Sequence, residues 1–131
     1  MKEFQSKSLI YLEDYDVNVN RYLTYAQIQK IIEAANVQNS WAFRQQNIDM
    51  LVLLYATDIG KENLEKFTHD ELLESGLIDA VFRNIKNIYQ IEEGLRYTES
   101  IEQAIVKIAQ QVTNFLSDNE GLKKLDKSIG K

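Results

Sequence analysis

The chain contains no cysteine and no proline, and its 131 residues include a single histidine, His69. An average chain of this length would carry about six or seven prolines. Because this chain has none, no helix interior is broken by proline. Without cysteine, thiolate chemistry is excluded and a zinc site of cysteine and histidine ligands is nearly excluded. Histidine-based acid–base catalysis would depend on His69 alone. These absences predict a protein that is poor in catalytic chemistry.

Long apolar runs and glycine clusters are also missing. The longest uninterrupted apolar run, Met50 to Ala56, has seven residues, whereas a membrane-spanning helix needs about 20. The five glycines are isolated from one another, so no phosphate-binding loop or Gly-x-Ser-x-Gly motif is present. The first residues are polar and lack an apolar signal region. We expect a cytoplasmic, non-enzymatic protein with no cofactor, no metal site and no membrane contact.

The charge of the chain is acidic and unevenly placed. The net charge is −5, and residues 58–79 hold seven acids against two lysines. We call this segment the acidic belt. Residues 121–131 hold four lysines and one aspartate. An acidic belt with a basic tail argues against binding to duplex nucleic acid, which favours clustered Lys and Arg on a folded face. It leaves open either an ordinary solvated surface or a charge-steered protein partner.

Helical periodicity dominates the chain from Thr24 onward. Thr24 with Gln27 and Thr68 with Glu71 have the spacing of capping boxes, which predicts that helices begin there. Gly76 is expected to stop or kink the second of these helices. Further helices are predicted after Ser40, from Leu77 to Leu95, and after Thr98 or Ser100. The last helix carries a stripe that we expect in the core: Ile101, Ala104, Ile105, Ile108, Val112, Phe115 and Leu116.

These segments predict an all-α fold, a single-domain antiparallel bundle of four main helices and one short helix. Residues 1–21 are poorly patterned and are expected to form an extended N-terminal arm outside the bundle. Leu9 to Leu12 within it have the composition of a short strand or an apolar anchor. Residues 22–117 form the predicted bundle, and residues 118–131 a flexible basic tail.

Polar residues inside the helical region have structural interpretations. His69 lies just inside a capping box and is expected to be a solvated residue of the first turn, because a general base needs a buried cleft and an orienting partner. Asp70, Glu71 and Glu74 suit a helix start, where the macrodipole favours acids. Arg44 and Asn47, beside the most apolar helix, are expected to form a polar network that fixes helix register.

Aromatic residues and lysines near the two ends are the candidate partner-binding groups. Tyrosines crowd the N-terminal quarter, where they either pack that segment onto the bundle or form a partner interface. Lysines concentrate in the basic tail. Because segments that order on binding wrap a neighbouring subunit effectively, we expect both ends to bind partners through Tyr11, Tyr15, Tyr22, Tyr25, Lys123, Lys124 and Lys127.

Three stretches of the sequence carry a family resemblance, which extends over roughly Tyr22 to Leu116. The chain resembles small proteins encoded by tailed bacteriophages and prophages of low-GC Gram-positive bacteria, which are associated with the head–tail structural gene cluster. The stretches are Tyr22 to Ile28, Arg44 to Leu51 leading to Tyr55 to Ile59, and Leu72 to Asp79.

The resemblance implies a non-enzymatic phage structural or assembly protein, a head–tail connector (adaptor) in the first place. The alternatives are a tail assembly chaperone, or an acidic inhibitor of a host nucleic-acid enzyme that uses the acidic belt as a DNA mimic. Expected partners are other phage structural proteins and further copies of the chain, as a homo-oligomer or ring. The expected location is the host cytoplasm during assembly, with presence in the mature virion left open.

Overall fold

A computed structural model describes residues 8–117, which form a β-hairpin and six α-helices. The strands are joined by a 3₁₀ turn at Glu13–Tyr15 and pair antiparallel, with Leu9 opposite Asn20 and Leu12 opposite Val17. The elements in chain order are β1 (Leu9–Leu12), β2 (Val17–Asn20), α1 (Tyr25–Asn36), α2 (Trp41–Ala56), α3 (Lys61–Leu64), α4 (His69–Glu74), α5 (Leu77–Asn84) and α6 (Tyr89–Ser117).

Local capping signals set the starts of α1 and α4. The Thr24 hydroxyl accepts from the Gln27 backbone N–H, and the Gln27 side chain accepts from the Thr24 N–H. Thr68 and Glu71 form the same reciprocal pair at the start of α4. Each capping box satisfies two helix-end N–H groups that have no partner within the helix. Both predicted helix starts are therefore confirmed.

The hairpin is part of the core rather than an arm outside it. Val17 and Val19 of β2 are buried, while Asn18 and Asn20 alternate with them on the more exposed face. Asp16 closes the connection with φ +52°, a left-handed conformation that Asp tolerates better than most residues. β2, in the predicted N-terminal arm of residues 1–21, packs against α5, and residues 1–7 of that arm lie outside the described residues.

Three side-chain contacts tie the hairpin and the residues after it to segments between helices that lie 40 or more residues later in the chain. The Tyr15 hydroxyl donates to the Ser75 carbonyl oxygen at 2.7 Å. The Asp58 carboxylate accepts from the backbone N–H of Asn18 at 2.9 Å and from its side-chain amide at 2.8 Å. These hydrogen bonds lower the pKa of Asp58 below its usual value. The third contact joins the Asn87 side chain to the backbone of Leu23 and accounts for the break between α5 and α6.

The segment predicted as one helix from Leu77 to Leu95 is interrupted at residues 85–88. The Asn87 amide oxygen accepts from the Leu23 N–H at 2.9 Å, and its amide nitrogen donates to the Leu23 carbonyl at 2.8 Å. One side chain thus satisfies both backbone groups of a buried residue, as a neighbouring strand would. Ile85 leaves the helix with an extended backbone and stays buried. The tertiary contact overrides the local helical pattern.

A contiguous apolar core lies between the hairpin, α1, α2, α4, α5 and the first turns of α6. Ile31, Val52, Leu53 and Val81 are fully buried at its centre. α1 packs against α2, and α5 packs against both α2 and β2. Asn47 of α2 donates to the Ala34 carbonyl of α1, so this part of the predicted polar network lies at the α1–α2 contact.

The described residues thus confirm a mostly helical protein, but not the antiparallel bundle, and they include a hairpin that the prediction lacked. The chain divides into two compact units, Met1–Leu95 and Arg96–Lys131. The last helix begins at Tyr89, well before the predicted cap at Thr98 or Ser100. Within residues 8–117, no helix is long and apolar enough to cross a membrane.

Candidate partner-binding surface

The second unit exposes an apolar face along α6. The sequence from Arg96 to Ser117 lacks glycine and proline, the two residues that most disfavour a helix interior, so it continues the helix without a break. No residue in this stretch is buried. The apolar side chains predicted for the core are instead 42–60% exposed, namely Ile101, Ile105, Ile108, Val112, Phe115 and Leu116.

These side chains lie on one side of the helix because they recur at intervals of three and four residues. Ile101, Ile105, Ile108, Val112 and Phe115 follow one another in this way over four helical turns. Soluble monomers rarely expose large contiguous apolar patches, and such patches mark interaction sites. The α6 face, defined by these five residues, is therefore the leading candidate for a functional surface.

Few charges accompany the α6 face. Between Ile101 and Ser117 the only charged residues are Glu102 and Lys107, one of each sign. The remaining polar positions are filled by Gln, Thr, Asn and Ser. The Thr113 hydroxyl donates a hydrogen bond to the Ala109 carbonyl oxygen within the helix. The surface therefore offers apolar contact area rather than electrostatic recognition.

A second cluster, in the first unit, is centred on a buried carboxylate. Asp49 in α2 is 3% exposed. Its Oδ2 lies 2.7 Å from His69 Nε2, within hydrogen-bond distance, and its Oδ1 accepts from the Gln45 amide at 2.9 Å. Both carboxyl oxygens thus have a hydrogen-bond partner, as buried polar atoms require. His69 does begin α4, but its side chain turns into the protein toward Asp49 and is not the solvated residue that we expected.

The Asp49–His69 pair lies in a groove of about 580 Å³ between α2, α4 and α5, with Trp41 and Phe82 among its walls. A carboxylate that orients an imidazole is the arrangement of a general base. However, the lining side chains include no Ser, Thr, Lys or Arg that would act as nucleophile or stabilise an anion. The geometry therefore supports a structural role, in which the Asp49–His69 contact fixes α4 against α2.

The described residues offer no preassembled metal site either. Among residues 8–117, no group of three or more His, Asp or Glu side chains is placed to hold a metal ion. The acids of the belt are instead dispersed along separate elements. Glu65 pairs with Lys61 and Asp79 with Arg83, each one helical turn away.

The four tyrosines predicted to bind partners differ in their surroundings and in their exposure. Tyr15 packs against the core and anchors the hairpin through Ser75. Tyr11 donates to Asp16 across the hairpin turn at 2.6 Å, and this hydrogen bond raises its pKa. Tyr22 lies beneath the Lys86 ammonium, which is 5.7 Å from the ring centroid.

Tyr25, at 78% exposure, is the most exposed of the four tyrosines. The predicted lysines Lys123, Lys124 and Lys127 lie outside the described residues. The packing alternative therefore accounts for Tyr15, whereas Tyr11, Tyr22 and Tyr25 keep about half or more of their surface exposed. The partner-binding prediction stays a prediction for these three.

Sequence reasoning missed both the Asp49–His69 pair and the exposure of the α6 face. A signal for the pair was present, because Asp49 is the only charged residue between Arg44 and Asp58. A lone acid inside an apolar helix needs a buried partner, and His69 is the one histidine in the chain.

Comparison with known proteins finds no matching family model, no matching curated protein and no matching solved structure.

Proposed function

We propose that this protein is a non-enzymatic structural or assembly component of a bacteriophage and acts through protein–protein contacts, as a head–tail connector. The observation that carries the proposal is the α6 face, because an apolar stripe with no buried residue from Arg96 to Ser117 needs a partner to leave water. The specific assignment to a phage head–tail module rests on the family resemblance.

A mainly structural role agrees with how the polar groups of the first unit are used. Asp49, Asn87 and Asp58 each join two distant segments of the chain. The hydrogen bonds that their side chains form are to other groups of the protein, which agrees with a structural role rather than with binding a substrate. The α6 face, in the second unit, is the surface that we propose for the partner in the assembling particle.

The acidic inhibitor is the weaker alternative, because several acids of the belt already have partners. Asp58 binds Asn18, Glu65 pairs with Lys61, Asp79 pairs with Arg83, and Glu71 completes a capping box. A surface that imitates DNA needs free carboxylates at regular spacing to replace phosphates. The tail assembly chaperone differs from the connector only in its partner, and the following experiment separates them.

The test is co-expression of the tagged full chain with the head and tail proteins of a phage that encodes it. We expect the chain to co-purify with portal or head-completion proteins as a connector, and to be lost from the complex when Ile105 and Ile108 are both changed to Glu. The matched control changes Gln103 and Gln110 to Glu, which adds the same charge to the opposite side of α6. Recovery with tail proteins alone would support the chaperone, and recovery with neither would refute a phage assembly role.

A further inference from the structure

We infer that the α6 face is a self-association element, and that its first partner is a second copy of this chain. The inference rests on the proposed function in one respect, since it names the partner of the same surface. It is carried by the residue spacing, the charge and the area of the face.

The spacing on α6 is that of a coiled coil. Ile101, Ile105, Ile108, Val112 and Phe115 are separated by four, three, four and three residues. This alternation keeps a stripe on one seam between two helices that wind around each other, and each side chain then inserts between four residues of the neighbour. Over two heptads the same spacing also fits the 3.6-residue period of a helix that covers a globular core, but no residue from Arg96 to Ser117 is buried against the described residues. The seam therefore fits another helix of the same kind.

The residues beside the seam favour close approach of identical helices. Ala104 and Ala109 flank it and present only a methyl group each, while Gln111 is uncharged. Glu102 is the only charged residue at a flanking position, so two copies meet with almost no like-charge repulsion. A strongly charged protein partner would instead be matched by complementary charges at these positions.

A membrane surface fits the α6 face less well than a second copy. Helices that lie on a membrane carry Lys and Arg on their polar side to attract anionic lipid. From Ile101 to Ser117 α6 has only Lys107, balanced by Glu102. The polar residues on the opposite side are mainly neutral ones, such as Gln103, Gln110 and Asn114.

The area of the face also suits a helix–helix interface. The five seam residues are 42–60% exposed, and Leu116 beside them is 49% exposed. Their exposed apolar surface is on the order of 500–700 Å² per copy, which approaches the about 800 Å² per partner of a standard interface. Isoleucine at both kinds of seam position favours three or four parallel strands over two, so a ring or bundle of copies agrees with the geometry.

The experiment measures the mass of the purified full chain by sedimentation equilibrium across a concentration series. We expect a multiple of the 15.2 kDa monomer. The Ile105→Glu/Ile108→Glu variant should weaken association by roughly 100-fold or more, because it buries unpaired charges at the seam. The Gln103→Glu/Gln110→Glu control should assemble like the wild type. A monomeric wild type, or a seam variant that assembles as well as the control, overturns the inference.

A cysteine cross-link gives a second measurement that does not depend on the charged variants folding. The chain has no cysteine, so Ile108→Cys and Gln110→Cys each introduce the only thiol. Under mild oxidation, Ile108→Cys should form covalent dimers and Gln110→Cys should not. Equal cross-linking of both variants overturns the inference. A monomeric chain that still co-purifies with phage proteins refutes only self-association, and an oligomer that never enters particles refutes only the phage role.

Discussion

Replacing Val19 by alanine tests whether the hairpin belongs to the core. Val19 is completely buried and its backbone bridges to Thr57 at the end of α2. The substitution removes two buried carbon atoms, worth about 0.8 kcal/mol each in transfer free energy. Because the hairpin is held by Asp58 and Tyr15, the site collapses only partly, and the cavity term brings the expected loss to about 2–3 kcal/mol.

The loss would be measured by urea unfolding followed by far-UV circular dichroism, with two matched controls. Val37→Ala makes the same chemical change at a residue that is 74% exposed, and Leu9→Ala lies in the same hairpin at 68% exposure. Both should change the free energy of unfolding by less than about 0.5 kcal/mol. If Val19→Ala costs no more than these controls, the hairpin contributes nothing to the stability of the core.

Three further predictions concern contacts between distant parts of the chain. Asn87→Asp leaves the Leu23 carbonyl without its donor and should cost about 1–3 kcal/mol in urea unfolding; a neutral result would contradict the clamp. A Cβ at Gly94 would overlap the end of the Ile32 side chain, so Gly94→Ala should destabilise the wild type more than the Ile32→Val variant, and equal losses would rule out this contact. Because the pKa of Asp58 is lowered in the folded state, its contribution is present above the unfolded pKa near 3.8 and is lost as the pH falls further, so acid unfolding should be steeper for wild type than for Asp58→Asn.

Features encoded by neighbouring residues were predictable from the sequence. The capping boxes at Thr24 and Thr68 depend on residues three positions apart, and both helix starts are where the pattern places them. Gly76 adopts φ +81° between α4 and α5, as expected of a helix-ending glycine. The alternation from Val17 to Asn20 was also a strand signal, but four residues are too short a run to distinguish a hairpin from an irregular arm.

Features decided by tertiary contacts were not predictable. Nothing local breaks the helix before Asn87; the break exists because Leu23, 64 residues earlier, offers two backbone groups to its amide. The α6 face shows the other limit. A periodic apolar stripe such as that around Ile105 indicates that the helix packs against a partner. It does not indicate whether that partner is the rest of the same chain or another molecule.

The long sequence separation of the hairpin's contacts has a consequence for the order of folding. The hydrogen-bond partner of Asn18, Asp58, is synthesised 40 residues later. Ser75 follows Tyr15 by 60 residues, and Asn87 follows Leu23 by 64. At a synthesis rate of about 5–20 residues per second, the last of these partners follows by roughly 3–13 s.

During that interval a nascent chain has no completed core in which to bury Val17 and Val19, whereas the capped helices need only local residues to begin forming. Closing large loops is slow because their entropy is lost before the contact forms. We expect docking of the hairpin to be the late step of folding, so that Val17 and Val19, which are synthesised before the helices, reach their final place after the helices have formed.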